Sequence, residues 1–168
     1  MPMSANRSSA PARVPGVACS RHHHNDPRAR FCATCGVSMA QSSVLLVDGP
    51  RPPLGVLVFG DGTSVSLDRP VVVGRDATTD PRVRSGSAIA LTLDDRAGHL
   101  SRLHADVLLV DWDVHLVDRA STNGTFVYDE SRRSWHRLAP RRAHGLAAGS
   151  SLAFGRYAAV FQSPLRPR

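Results

Sequence analysis

Two groups of side chains in this sequence could do chemistry. The first lies near the start. Cys19 is followed by His22, His23 and His24, and then by Cys32-Ala33-Thr34-Cys35-Gly36. Two cysteines two residues apart, closed by a glycine, form a tight turn that aims both thiolates at one ion. A Cys and a His from about a dozen residues earlier complete four ligands. Tetrahedral Zn2+ suits three thiolates and one imidazole. Three cysteines are an odd number, which argues against a disulfide framework. Spacing alone leaves His22, His23 and His24 open as the imidazole. So short a segment has no packing core of its own, so metal must hold it folded. Four protein ligands leave no position for a substrate water, which makes the site structural.

The second group is spread over four pieces: Val73-Gly74-Arg75, Leu100-Ser101-Arg102-Leu103-His104-Ala105, Asp118-Arg119-Ala120-Ser121-Thr122-Asn123-Gly124-Thr125, and Leu146…Gly149 with Phe154-Gly155. Singly each is weak. Gly-Arg after a strand is usually a strand end, Ser-x-x-His a polar loop, and Asn-Gly a hairpin. Chemically, Arg75 offers a planar fork for phosphate or carboxylate oxygens. Ser101 offers a hydroxyl and a backbone N–H. Ser101, His104 and one of Asp94, Asp95 or Asp118 could be drawn as a catalytic triad. No strand–nucleophile–helix signature, HExxH helix or dinucleotide glycine fingerprint accompanies them, so the reading is not an enzyme.

Composition narrows the choice. All 21 basic residues are Arg, against 14 acids, for a net charge of +7. Without Lys there is no Walker A loop, no kinase strand Lys and no Schiff-base Lys. The charge is diffuse: residues 1–50 carry five Arg and two Asp, 51–98 six of each sign, and 99–168 ten Arg and six acids. The densest patch is Arg132, Arg133, Arg137, Arg141 and Arg142, with His136 and His144. A solvated loop surface is its plain reading, and attraction for phosphate its sharper one. No apolar run is long enough to span a bilayer, and Met1–Val14 lacks an apolar signal core, so a cytoplasmic protein without membrane insertion is expected.

The elements that position these groups read as β. Residues 1–16 have almost nothing to bury and should form a disordered arm. Residues 17–37 hold the Cys/His segment. Residues 38–50 look like a linker, with a short strand at Val44–Val47 closed by the turn signal Asp48-Gly49-Pro50. From residue 51 short apolar runs alternate with Gly, Asp, Ser and Pro. They are Gly55–Phe59, Ser64–Leu67, Val71–Val73, Ala88–Leu93, Ala105–Val110, Val114–Val117, Thr125–Tyr128, Leu152–Phe154 and Tyr157–Phe161. Such spacing predicts an all-β sandwich or barrel. Leu93–His104 could place Leu100 and Leu103 on one helical face, but Asp94-Asp95 before Arg96-Ala97-Gly98 favours a loop.

In this order, the four pieces resemble the forkhead-associated (FHA) domain, which recognises phosphothreonine peptides. The resemblance covers residues 51–165. It implies a sandwich of two antiparallel sheets. It also implies that Arg75 and Ser101 bind phosphate, that Arg102 and Thr122 add contacts, and that Asn123 holds the peptide backbone. Gly74, His104 and Gly124 would shape the loops. The interval from Arg75 to Ser101 exceeds the family's common spacing, and Asp80-Pro81 and Ser85-Gly86-Ser87 suggest inserted turns. The Cys/His segment resembles a small zinc-ribbon half of the Cys-x3-His…Cys-x2-Cys kind, as found beside bacterial signalling domains. That favours Cys19, His23, Cys32 and Cys35 as ligands. Together these imply a phosphothreonine-dependent adaptor with structural Zn2+, whose partner is a phosphothreonine-containing protein, a Ser/Thr kinase or its substrate. The alternative is a zinc-ribbon protein that binds nucleic acid through its Arg-rich surface; its binding would fall steeply with salt.

Overall fold

Short β-branched and aromatic runs separated by Gly, Asp and Ser build strands of two to six residues. The computed structural model describes residues 10–40 and 45–164. The strands are β1 (Arg13–Ala18), β2 (His24–Asn25), β3 (Val47–Pro50), β4 (Val56–Phe59), β5 (Ser64–Ser66), β6 (Val71–Gly74), β7 (Ile89–Thr92), β8 (Ala105–Val110), β9 (Asp113–Asp118), β10 (Thr125–Asp129), β11 (Ser134–Arg137), β12 (Ala143–Leu146), β13 (Ser151–Phe154) and β14 (Tyr157–Gln162). A 3-10 turn (Ala77–Thr79) and helix α1 (Pro81–Arg84) lie between β6 and β7.

Two sheets face each other. One runs β11-β10-β13-β14-β4-β5, all antiparallel. The other runs β12-β9-β8-β6-β7 and is antiparallel except for the β6–β7 pair. Period-two alternation sends Leu57, Phe59, Leu152, Phe154 and Phe161 from one sheet against Val71, Val73, Val107, Val114 and Leu116 from the other. The expected all-β sandwich is thus formed, with one parallel ladder inside it.

That ladder explains the long interval after Arg75. Parallel neighbours need a crossover, and residues 75–88 supply it. The expected inserted turns prove to be a 3-10 turn and one turn of helix. Asp80 caps α1 by accepting from the Arg82 N–H, and Pro81 opens it. The crossover buries Ala77 and Ala88 on Val72. All four residues of β6 are therefore buried, as in strands covered on both faces. Asp80 accepts from Arg82 and from Arg119 (2.6 Å), and Arg82 also reaches Asp106 (2.7 Å). The Arg82 guanidinium, opposed by burial and aided by Arg119, holds the Asp80 carboxyl well below the usual carboxylate range. The crossover is thereby tied to the residue that follows β9.

The N-terminal boundaries differ from expectation. Residues 1–9 of the expected arm lie outside the described residues, but Arg13–Gly16 are not an arm. They pair antiparallel with β3, Arg13 opposite Pro50 and Gly16 opposite Val47. The Asp48-Gly49-Pro50 turn signal therefore lies within a strand, and part of the expected linker is sheet; Val44 itself lies outside the described residues. Local sequence could not show this, because the pairing joins segments over thirty residues apart. Val14 joins the main core. Trp112, in the β8–β9 turn, donates its indole N–H to the Pro15 carbonyl at 2.7 Å. His24 lies 5.3 Å from the Trp112 ring and reaches the Val14 carbonyl through Nε2 at 2.9 Å. Arg28 bridges Asp26 and Asp113. The Cys/His module thus packs on the sandwich.

Candidate functional site

Gly74 ends β6 where the backbone of Arg102 passes. A Cβ on Gly74 would come 2.2 Å from the Arg102 carbonyl oxygen, so only glycine fits. The two segments are then bonded: the Arg75 N–H donates to the Ser101 carbonyl and the Asp76 N–H to that of Arg102. This sets Arg75 beside Ser101. The Arg75 side chain is exposed and makes no hydrogen bond or ion pair with the described residues. It borders a cleft lined by Thr92, Leu93, Asp94, Asp95 and Arg96.

His104 is fully buried and holds two loops at once. Its Nδ1 accepts the Ser101 N–H at 3.3 Å, and its Nε2 faces the Gly124 carbonyl at 3.0 Å. That pair of partners selects the neutral tautomer protonated at Nε2. Burial pushes the His104 pKa down, opposed by the Gly124 carbonyl. The Ser101 N–H is therefore engaged, and the sequence reading that offered it to phosphate is corrected. The hydroxyl remains. Ser101 Oγ accepts the Thr122 N–H at 3.1 Å, which leaves its own proton free to donate outward. The drawn triad is not assembled: the imidazole nitrogens serve backbone groups, and Asp118 serves other partners.

Asp118, buried at the end of β9, organises the next loop. It accepts from the Ser121 N–H and hydroxyl and from the Thr125 hydroxyl. Ser121 Oγ in turn accepts the Gly124 N–H. Gly124 adopts a φ of +86°, which favours glycine. Asn123 is exposed on this turn and donates Nδ2–H to the His99 carbonyl at 2.8 Å, and its Oδ1 has no hydrogen bond among the described residues. Sequence reading missed Asp118, Ser121 and Thr125 as a positioning set; the Asp-x-x-Ser turn pattern was the available signal. Arg102 is 65% exposed and pairs with Asp76 at 3.4 Å. Thr122 is exposed. The structure thus gathers Arg75, Ser101, Arg102, Thr122 and Asn123 at one end of the sandwich, with Gly74, His104 and Gly124 beneath them.

At the other candidate site the ligand atoms of Cys19, His23, Cys32 and Cys35 lie within 4.8 Å of one another. Zn–S bonds of about 2.3 Å and Zn–N bonds of about 2.0 Å give tetrahedral edges of about 3.8 Å (S–S) and about 3.5 Å (S–N). The structure has Cys19 Sγ to Cys35 Sγ at 3.9 Å, Cys19 Sγ to His23 Nδ1 at 3.5 Å and Cys32 Sγ to His23 Nδ1 at 3.7 Å. Of the three histidines, His23 is the one in the cluster; His22 is exposed and His24 serves the Trp112 contact. Burial raises the Cys32 thiol, but the N–H groups of Cys35 and Thr34 and the Asn25 amide outweigh it and bring it down to about 6.

Two facing sheets with anion-ready loops at one end define a β-sandwich recognition module. Its residues 71–155 match the FHA domain family, half of the 168-residue chain, and the protein belongs to that family. Among solved structures, it is similar to the FHA domain of a hypothetical protein from Arabidopsis thaliana, at 20% identity over 69% of this chain and 90% of that one, with a TM-score of 0.50. It also resembles a structure described as an analysis of phosphothreonine-dependent FHA domain interactions, at 23% identity over 67% and 97%, TM-score 0.47. The human APLF FHA domain complexed with an XRCC1 bisphospho peptide aligns at 22% identity over 65% and 98%, TM-score 0.46. No protein of curated function matches the chain. Among the described residues no helix is long and apolar enough to cross a membrane.

Proposed function

We propose that this protein is a phosphothreonine-peptide-binding adaptor in Ser/Thr kinase signalling, with Zn2+ as a structural ion in its N-terminal module. Its partner is a phosphothreonine-containing protein, a kinase or a kinase substrate. The observation that carries this is the Arg75 guanidinium, free of partners among the described residues and carried beside Ser101, whose hydroxyl accepts the Thr122 N–H and keeps its own proton to donate. A phosphothreonine brings nearly two charges and three acceptor oxygens. Arg75 suits two of those oxygens and Ser101 one. Arg102 adds charge by leaving Asp76, and Asn123 Oδ1 suits a peptide N–H. The arrangement offers hydrogen-bond donors and positive charge to anionic oxygens, which supports a role in recognition. Cys19, His23, Cys32 and Cys35 would hold the zinc, which supplies a cross-link and no reactivity. Cysteines disposed for metal suit a reducing compartment such as the cytoplasm.

The test is titration of matched peptides carrying phosphothreonine, phosphoserine or plain threonine, repeated with Arg75→Ala. The phosphothreonine peptide should bind at least ~50-fold more tightly than the plain one, a difference of about 2.3 kcal/mol. Arg75→Ala should abolish most of that gap while the urea midpoint stays put, since the side chain is exposed. Equal affinity for phosphorylated and plain peptides sinks the proposal.

A further inference from the structure

An antiparallel sheet with one face on a core and the other in water alternates apolar and polar residues along each strand. The six-stranded sheet breaks that rule. Its inward positions fill the core. Its outward positions are apolar as well: Val56 and Val58 on β4, Phe126 and Tyr128 on β10, Ala158 and Val160 on β14. The register sets them side by side, with Val160 opposite both Val58 and Ser151, Ala158 opposite Ala153, and Trp135 opposite Tyr128. Among the described residues of these six strands the only outward charge is Arg137, on the edge strand β11, although charged residues make up 21% of the chain. The face is open to water: Val160 is 37% exposed, Trp135 is 48% exposed, and Ala158 is exposed. The five-stranded sheet differs. Its outer side carries Asp106, Asp113 and His115 and is partly covered by the crossover. Strands that are apolar in both directions mark a sheet covered on both sides.

We infer that a second copy of this chain covers the outer face of the six-stranded sheet, giving a twofold dimer of sandwiches packed sheet to sheet. An uncharged face is complementary to itself, and a chain of net charge +7 meets its like at least cost where charge is absent. Size agrees. Six strands about 4.8 Å apart, each about four to five residues long, give a face of roughly 29 by 15 Å, or about 440 Å2 in projection. Two copies cover about 900 Å2 before side-chain relief adds to it, close to the roughly 1,000 Å2 at which specific interfaces begin. The dimer is therefore weak, with a dissociation constant on the order of 10 μM. Arg75, Ser101 and Asn123 lie at the end of the sandwich rather than on this face, so the inference stands apart from the phosphothreonine reading.

Sedimentation equilibrium of the zinc-loaded protein from about 1 to about 200 μM tests it. The intact chain should pass from one chain mass to two across this range and stop there, because a twofold contact closes. Val160→Glu, which sets two carboxylates in the contact, and Ala158→Glu should each raise the dissociation constant at least ~10-fold. His115→Glu, on the outer side of the other sheet, should leave it within about twofold. Ala158 is exposed, so its variant keeps the fold, and urea midpoints report whether Val160→Glu does too. A chain that stays monomeric throughout, mass beyond two chains, a dimer that survives either folded variant, or equal weakening by His115→Glu overturns the inference.

Discussion

Replacing His104 tests how this end of the sandwich is assembled. His104→Leu keeps most of the volume packed on Phe154 but deletes both ring nitrogens. The Gly124 carbonyl keeps a partner, the Gly155 N–H at 2.9 Å. The Ser101 N–H loses its acceptor among the described residues, and Ser101 is partly open to water, so its desolvation cost falls at the low end. Two net hydrogen bonds at about 1 kcal/mol each and one poorly satisfied donor give about 2–3 kcal/mol. With a urea slope of about 2 kcal/mol per molar, the midpoint should drop by about 1–1.5 M. The pH dependence adds a second signature. Above pH about 6.5 the imidazole is neutral folded and unfolded. Below it the unfolded chain takes a proton that the ring refuses, because burial disfavours the imidazolium and Nδ1 is already occupied by the Ser101 N–H. Stability therefore falls with acidification from pH 6.5 toward the depressed folded pKa. Urea titrations of zinc-loaded protein at pH 7.5, 6.5 and 5.5 should show the stability gap between parent and variant shrinking as pH falls. A midpoint shift under about 0.3 M, or a gap that stays constant with pH, would refute this reading of His104.

Gly74→Ala forces a methyl into a space 2.2 Å from the Arg102 carbonyl. It should cost about 1–3 kcal/mol in a urea titration and weaken phosphothreonine-peptide binding at least ~10-fold, because the Arg75–Ser101 spacing must open. Stripping the metal with a zinc-selective chelator should release β1 while the sandwich stays folded. Trp112, only 6% exposed beneath Pro15 and His24, should then red-shift in fluorescence against the constant background of the half-exposed Trp135. An unshifted spectrum with zinc removed would show that the module does not depend on metal for its seat on the sandwich.

The candidate site was legible in sequence as a set of strand-end residues whose spacing is dictated by local geometry. Val73-Gly74-Arg75, Ser101-x-x-His104 and Asn123-Gly124 each keep their order and spacing whatever the strands between them do. The Cys/His set was legible because metal geometry constrains spacing; spacing alone left His22, His23 and His24 open, the resemblance favoured His23, and His23 is the one found in the cluster. What sequence hid was non-local. β1 contains Pro15 and Gly16 and reads as a tail until β3 pairs with it. Those glycines have their own reason: Gly16 and Gly49 lie against the His24 ring, within 2.6 Å of where a Cβ would be. Helix α1 has four residues, too few for any periodicity, although Asp80-Pro81 marks its start. β11 is exposed at every residue, so no buried alternation announced it.

His104 and the Asp118 turn have a mechanical consequence. Arg75 and Ser101 are carried by the five-stranded sheet, while Asn123 and Gly124 lead into β10 of the six-stranded one. A peptide held by Arg75, Ser101 and Asn123 together is therefore a staple driven across the open seam between two layers. Any sliding of one layer over the other would first have to pull the staple out. Occupancy should accordingly slow amide exchange in β8 and β10 together, including positions far from the groove. The stiffening follows RT ln(1 + [L]/Kd) and is set by ligand concentration rather than by any new contact within the sheets.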